Sequence, residues 1–283
     1  MKRYRVLSFD FDSGPSLLSQ TVSEDWAPEI QEQHRENRRR VITSVVQRFG
    51  PQDAEDKLQG YIDLGPMPVS IVGYHNRFFR QTRDSFVIGA FYPALTGACA
   101  LGERILNHLL LDLRSSYQHT PEYKEVYTKS SFDDWYKAIG ILETWGVLLP
   151  DVIPEYKRLA EIRNTRAIHY HPEVETKDRE LALSAISAVS NIIHGQFAGI
   201  GPQPWFIKGV RGVSFVRKEA ETEPFVKHFY LPKSKLVSPY HRTDMVWNPE
   251  TERYELLIDD SDDHGDTDVT DEEFARLYEN RWA

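Results

Sequence analysis

Leu159-Ala160-Glu161-Ile162-Arg163-Asn164-Thr165-Arg166-Ala167-Ile168-His169-Tyr170-His171-Pro172 reads as the last turns of a helix that stops near His171-Pro172, because the residue before a proline is pushed out of the α region. Advanced at about 100° per residue, Tyr156, Leu159, Ile162 and Tyr170 fall on one side, as a core-facing stripe should. Arg163 and Arg166 project within the same arc, and His169 lies at its edge beside Ile162. Charge on a core-facing side is costly unless it is paired or lines a site. This helix end therefore calls for a polar partner or a ligand.

The neighbouring segments supply the rest of a helical body. From His75 to about Ser115 the pattern is helical, with Pro93 as the predicted break. After it, Leu95, Ala98, Cys99, Gly102, Leu106, Leu109, Leu110 and Leu113 recur on one face at i, i+3, i+4, i+7 spacing. Glu103 sits at the margin of that face, where a carboxylate can reach a cation on a neighbour; a plain surface glutamate is the alternative. A further helix is predicted over Phe132 to Trp145, capped by Ser131 with Asp133 and Asp134 in its first turn. Pro154 suits the first turn of the quoted helix. A last long helix, Lys177 to Phe197, ends at Gly199-Ile200-Gly201-Pro202. Four helices with short connections over residues 92–198 predict a bundle.

Outside this body the signals are weaker. Tyr4 to Asp12 reads as one short strand ended by Ser13-Gly14-Pro15. Its Asp10-x-Asp12 pair is a poor match to a phosphatase-type nucleophile loop, because Ser13-Gly14-Pro15 follows and no strand–helix alternation does. A polar helix over Pro28 to Phe49 carries acids early and Arg38-Arg39-Arg40 late, the arrangement of a solvated face, with phosphate binding as the lesser option. A shorter helix is expected over Gln52 to Ile62. Residues 203–258 alternate short aromatic and β-branched runs with turn residues, which predicts a small antiparallel β module. Asp260 to Asp271 approximates a calcium loop with His264 in place of an oxygen ligand, and reads as a solvated acidic loop before a helix from Asp271 to Asn280.

Composition bounds the function. The net charge is −9, but Asp259 to Ala283 holds ten acidic and two basic residues. The remainder is therefore roughly neutral, and a local basic site is allowed where a broad nucleic-acid surface is not. The single cysteine, Cys99, fits a reducing compartment. The start, Met1 to Leu7, soon meets Asp10 and Asp12 instead of an apolar h-region, and no apolar run reaches the roughly 18 residues a bilayer span needs. The expectation is a cytoplasmic protein with no membrane partner.

Arg163-Asn164, four further residues and His169, at the end of a bundle helix, resemble the signature of the HEPN superfamily. The leucine-rich helix with Glu103 resembles that superfamily's first helix, and the resemblance covers roughly residues 90–198. It implies a HEPN-like four-helix bundle over 91–200; with the residue-level readings above, the expectation is a mainly α fold in which an N-terminal extension over residues 1–90 precedes the bundle, and a β module over 201–258 and an acidic loop and terminal helix over 259–283 follow it. Many members are metal-independent RNA endonucleases that act as homodimers, with the arginine and histidine pairs brought together across the dimer cleft. The resemblance thus implies RNA as partner, no cofactor, no metal, and a bacterial defence or toxin role. His169 would act as general acid or base, with Arg163 holding the phosphate, Asn164 matching the polar position and Glu103 orienting Arg163. Arg166 would add a phosphate contact and His171 would be a second binding residue. The β module and acidic tail would regulate access or bind a regulatory protein or nucleotide. The alternative within the resemblance is a non-catalytic dimerisation or nucleotide- or RNA-binding module. From the residues alone, the alternative is that Arg163 is a buried arginine tied to Glu103 and carbonyls while His169 caps the helix end. Six residues of ideal helix set Arg163 and His169 about 120° and roughly 9 Å apart. A second subunit or a broken last turn is therefore part of the expectation.

Overall fold

The computed structural model describes residues 1–132, 134–167, 173–250, 253–261 and 268–282. The chain divides into two compact units, residues 10–198, and residues 1–9 with 199–283. The strands are β1 (Arg3–Val6), β2 (Phe9–Asp12), β3 (Met67–Ile71), β4 (Ser234–Val237), β5 (Arg242–Asn248) and β6 (Arg253–Asp259). The helices are α1 (Gly14–Ser19), α2 (Pro28–Phe49), α3 (Ala54–Asp63), α4 (Tyr74–Val87), α5 (Phe91–Leu113), α6 (Tyr123–Val126), α7 (Trp135–Thr144), α8 (Ile153–Ile162), α9 (Glu173–Phe197) and α10 (Asp271–Glu279). The fold is mainly helical with small antiparallel sheets. Among the described residues no helix is long and apolar enough to cross a membrane.

In the helical unit α5 is central: it packs against α4, α7, α8 and α9, while α8 also meets α7 and α9. All eight apolar positions expected to face the core are buried, from Leu95 to Leu113. Ala94, Leu101 and Ile105 are buried as well, because α4 covers another side of α5, where Thr82 lies against Gly97 and Phe78 under Arg104. Each fully buried Leu or Ile side chain here contributes about 1.5–3 kcal/mol. At Gly102 neighbouring side chains pack directly on the α5 backbone: a Cβ there would collide with Leu159 of α8 and Trp135 of α7.

Three expectations in this unit need correction. The break before α5 lies at Gly89, with φ +81°, and Pro93 sits inside the first turn, where a proline removes no ladder bond. α7 begins at Trp135 and is capped by Asp134, whose carboxylate accepts from the Lys137 N–H at 3.1 Å. Ser131 is not the cap, because the N–H and C=O of Phe132 are both taken by the Asn107 side chain, at 2.5 and 2.9 Å. The quoted stretch does not continue as α-helix: α8 ends at Ile162 and Arg163–Ala167 form a π turn. There the Thr165 hydroxyl donates to the Glu161 carbonyl at 2.7 Å, a back-bond that continuous helices of this chain also carry, as at Thr82 and Thr96. His169, Tyr170, His171 and Pro172 lie outside the described residues. α9 contains one non-helical residue, Lys177 (φ −132°, ψ 24°), where the predicted helix was to begin.

The second unit is less sheet-like than its composition suggests. β1 pairs antiparallel with β4, Arg3 opposite Val237, and β5 with β6. The runs at 205–207 and 213–216 form no strands; an isolated Phe206–Val216 bridge joins them, beside the Ile207 N–H donating to the Phe215 carbonyl at 2.8 Å. Val226–Tyr230 is a π turn, not a strand. Its apolar residues Phe225, Val226 and Tyr230 have helical spacing, and the Phe225 and Tyr230 rings pack on Trp205 with centroids 5.1 and 5.2 Å away. The run from Tyr4 to Asp12 is likewise two strands in different sheets. Ile207, Phe215, Val237, Phe274 and Tyr278 form the core. Beside it Arg3 is 1% exposed and donates to Asp271 at 2.7 Å, to the Lys2 carbonyl at 2.9 Å and to the Val269 carbonyl at 2.5 Å.

Two measurements check this packing. Gly102→Ala lowers stability in urea unfolding by about 1–3 kcal/mol through overpacking, whereas Gly140→Ala on α7, with nothing within 4 Å of its Cβ position, leaves stability unchanged or raises it. Asp271→Ala strands a buried guanidinium and costs about 3 kcal/mol. Asp268→Ala costs far less, because that carboxylate is 71% exposed. Equal losses for the two aspartates would contradict this account of Arg3.

Candidate functional site

The helical unit assembles a polar site from three elements. α5 presents Glu103 and, one turn on, Asn107; α7 opens with Trp135; the π turn after α8 supplies Arg163, Asn164 and Arg166. Asn107 donates to the Glu103 and Phe132 carbonyls at 3.1 and 2.9 Å. It thereby fixes the segment that delivers Trp135 beside Glu103.

The Glu103 carboxylate accepts from Arg163 Nη2 at 2.8 Å and from Trp135 Nε1 at 3.3 Å. Arg163 Nη1 donates to Asn164 Oδ1 at 2.9 Å, and the guanidinium lies 5.7 Å from the Trp135 ring centroid. The Arg163 and Glu103 side chains are 19% and 32% exposed. Solvent therefore screens the pair in part, and it positions the cation more than it stabilises the fold. Two of the five guanidinium N–H donors are used in these bonds, and the fork remains suited to an anionic oxygen pair. Arg166, half-buried, belongs to the same turn.

Of the residues expected at the site, the structure brings Glu103, Arg163 and Asn164 together and keeps Arg166 in their turn. His169 and His171 lie outside the described residues. Asn107 and Trp135 were not anticipated. Asn107 was detectable as the residue four after Glu103 on the same helical row, but Trp135 is brought in by tertiary packing alone. Cys99, one turn before Glu103, is no nucleophile: burial pushes its thiol up to about 12, with the Glu103 charge adding and the Arg163 charge subtracting.

The other candidate sites resolve into structural roles. Asp10 pairs with Arg80, and Asp12 accepts from the Tyr61 hydroxyl at 2.8 Å and from the Gly14 N–H at 2.9 Å. Burial and the Asp12 bond raise the Tyr61 pKa. Asp260, the first position of the calcium-like loop, binds the Ser238 hydroxyl at 2.5 Å and Lys2 at 3.2 Å; residues 262–267 lie outside the described residues. Among the described residues no three potential ligands group around a metal position. On α2, Arg35 and Arg39 pair with Glu32 at 3.2 and 2.6 Å, and Arg40 with Glu36 at 2.5 Å, a solvated face as expected.

His75 in α4 is 3% exposed, with its ring 4.8 Å from that of Phe197. Burial lowers its pKa from 6.5 to about 4, against smaller opposing effects of an Ile71 backbone bond and the Asp10 charge. The folded chain thus binds this proton less readily than the unfolded chain. The contribution of His75 to stability is complete above pH 6.5 and is lost as the pH falls from 6.5 toward about 4, roughly 3 kcal/mol in all. His75→Phe keeps a ring there and removes the titration. The stability advantage of wild type over this variant should shrink between pH 7 and pH 4.5, and an advantage equal at both would refute the assignment.

In comparisons with family models, with curated proteins and with solved structures, the chain matches none.

Proposed function

We propose that the helical unit is a HEPN-like, metal-independent endoribonuclease, working as a homodimer in the cytoplasm in a defence or toxin setting. The observation that carries this reading is the held guanidinium: Arg163, tied by Glu103 at 2.8 Å and by Asn164 at 2.9 Å where α8 gives way to a π turn. π turns are frequent at functional positions. The arrangement also places together three of the residues singled out by their order in the sequence.

In the proposed reaction the ribose 2′-oxygen attacks the adjacent phosphorus, and the bond from phosphorus to the 5′-oxygen breaks. A 2′,3′-cyclic phosphate and a 5′-hydroxyl result. His169, from the same or the partner subunit, takes the 2′-hydroxyl proton or returns one to the leaving oxygen. Arg163 faces the phosphoryl oxygens, where negative charge accumulates in the transition state. Asn164 and Glu103 are positioning residues, since each bonds the guanidinium and leaves the fork aimed. Arg166 offers the neighbouring phosphate a second cation, and His171 would serve the same strand.

The rival reading is a non-catalytic HEPN-like module that dimerises or binds RNA or nucleotide, which the partly exposed Arg163–Glu103 pair would serve equally well. Incubation of the purified chain with mixed RNA in excess chelator separates the two. Cleavage that resists chelator and falls by about 10²–10³ in Arg163→Ala, is lost in His169→Ala, and falls less in Glu103→Gln supports the ribonuclease. Intact RNA with folded wild type, together with Arg163-dependent RNA binding by fluorescence anisotropy, would assign the module instead.

A further inference from the structure

The β5–β6 hairpin has one largely apolar face and one mixed face. Its register sets Met245 opposite Leu256, Thr243 opposite Ile258 and Trp247 opposite Tyr254, and residues directly opposite share a face. Thr243, Met245, Trp247, Leu256 and Ile258 therefore line one side. Arg242, Asp244, Val246, Glu255, Leu257 and Asp259 lie on the other, a mixed face on which Val246 is 45% and Leu257 58% exposed and Asn248 donates to Glu255 at 2.8 Å. At the base of the apolar face Ile258 packs on the unit's own core. Farther along, Leu256 is 42% exposed, Met245 55% and Trp247 49%.

An isolated two-stranded hairpin is marginal in water, and a contiguous exposed apolar face marks an interaction surface. The sheet contains only β5 and β6 among the described residues, so each strand has an edge available for pairing. The sequence of β6, Arg253-Tyr254-Glu255-Leu256-Leu257-Ile258-Asp259, suggests what pairs there. Laid antiparallel on a copy of itself about Leu256, it sets Arg253 opposite Asp259 twice and Glu255 opposite Leu257. A shift centred on Glu255 opposes two glutamates; one centred on Leu257 opposes Glu255 and Asp259. β5 paired with itself about Met245 sets Arg242 opposite only Asn248.

We propose that this chain self-associates through β6, two copies pairing antiparallel about Leu256 into a four-stranded sheet. The pairing is isologous, as a two-fold interface requires. Both apolar faces then lie on the same side. The tip of each hairpin also lies beside the base of the other, where the apolar face already meets the core through Ile258. Met245 and Trp247 of one copy are thus delivered toward the body of its partner. This inference goes beyond the ribonuclease reading and does not depend on it.

The test is a charge exchange read by sedimentation velocity over the micromolar range. Arg253→Asp alone opposes two aspartates, and Asp259→Arg alone opposes two arginines. Each symmetric interface contains the contact twice, so either single variant weakens self-association by about tenfold or more. The double variant restores it, and far-ultraviolet dichroism confirms that the variants are folded. A wild-type monomer throughout the range overturns the proposal, as does a dimer whose affinity neither single variant changes, since that dimer is built elsewhere. A monomer whose tryptophan emission shifts on adding phosphatidylserine vesicles, with the shift lost in Trp247→Ser, assigns the face to a lipid surface and overturns it equally.

Discussion

The helical unit depends on the absence of a side chain at Gly102. With only a hydrogen there, Leu159 and Trp135 approach the α5 backbone at a place where a methyl group would collide. That approach fixes the separation of α5 from both α7 and α8. It also determines what the next residue can do: Glu103, one position around the same helix, then reaches the first residue past α8 and the indole N–H at the start of α7. The apolar contact and the polar site are thus adjacent positions of one helix, and a change in packing at the first would misplace the second.

Arg163 is mostly buried yet keeps part of its side chain in water. A fully buried guanidinium needs several acceptors, as Arg3 has in the other unit. Arg163 has one carboxylate, one amide oxygen and an aromatic face, with part of its surface in water. Such a cation exchanges water for an anionic ligand without the full desolvation penalty of a buried charge. Asn107 contributes indirectly: by binding the Phe132 backbone it delays the start of α7 and aims Trp135 at Glu103.

Legibility in the sequence followed the range of the interactions. Eight buried positions of α5 were readable from periodicity, and so was the reach of Glu103 toward a neighbouring cation, since both are properties of one helix; Ala94, Leu101 and Ile105 were not, because the packing of α4 buries them. The end of α8 was not, because the π turn at Arg163–Ala167 changes the winding without disturbing the apolar pattern. The run at 226–230 misled for the opposite reason. Its aromatic and β-branched composition suggests a strand, while the spacing of Phe225, Val226 and Tyr230, clustered on Trp205, is helical. Composition lost to periodicity once a tertiary aromatic cluster was available.

The acidic segment near the chain's end carries the same lesson about distance. Read locally, its aspartates form a solvated run. In the folded unit Asp260 binds Lys2 and Ser238, and Asp271 binds Arg3, so the charge excess there partly answers the two cations at the start of the chain. Neither end needs such composition for its own secondary structure. The pairing of β1 with β4 and the shared core of Val237, Phe215 and Phe274 bring them together. Once they have, a buried arginine at position 3 requires carboxylates at the helix start facing it, and α10 begins where those carboxylates also suit its own N-terminal dipole.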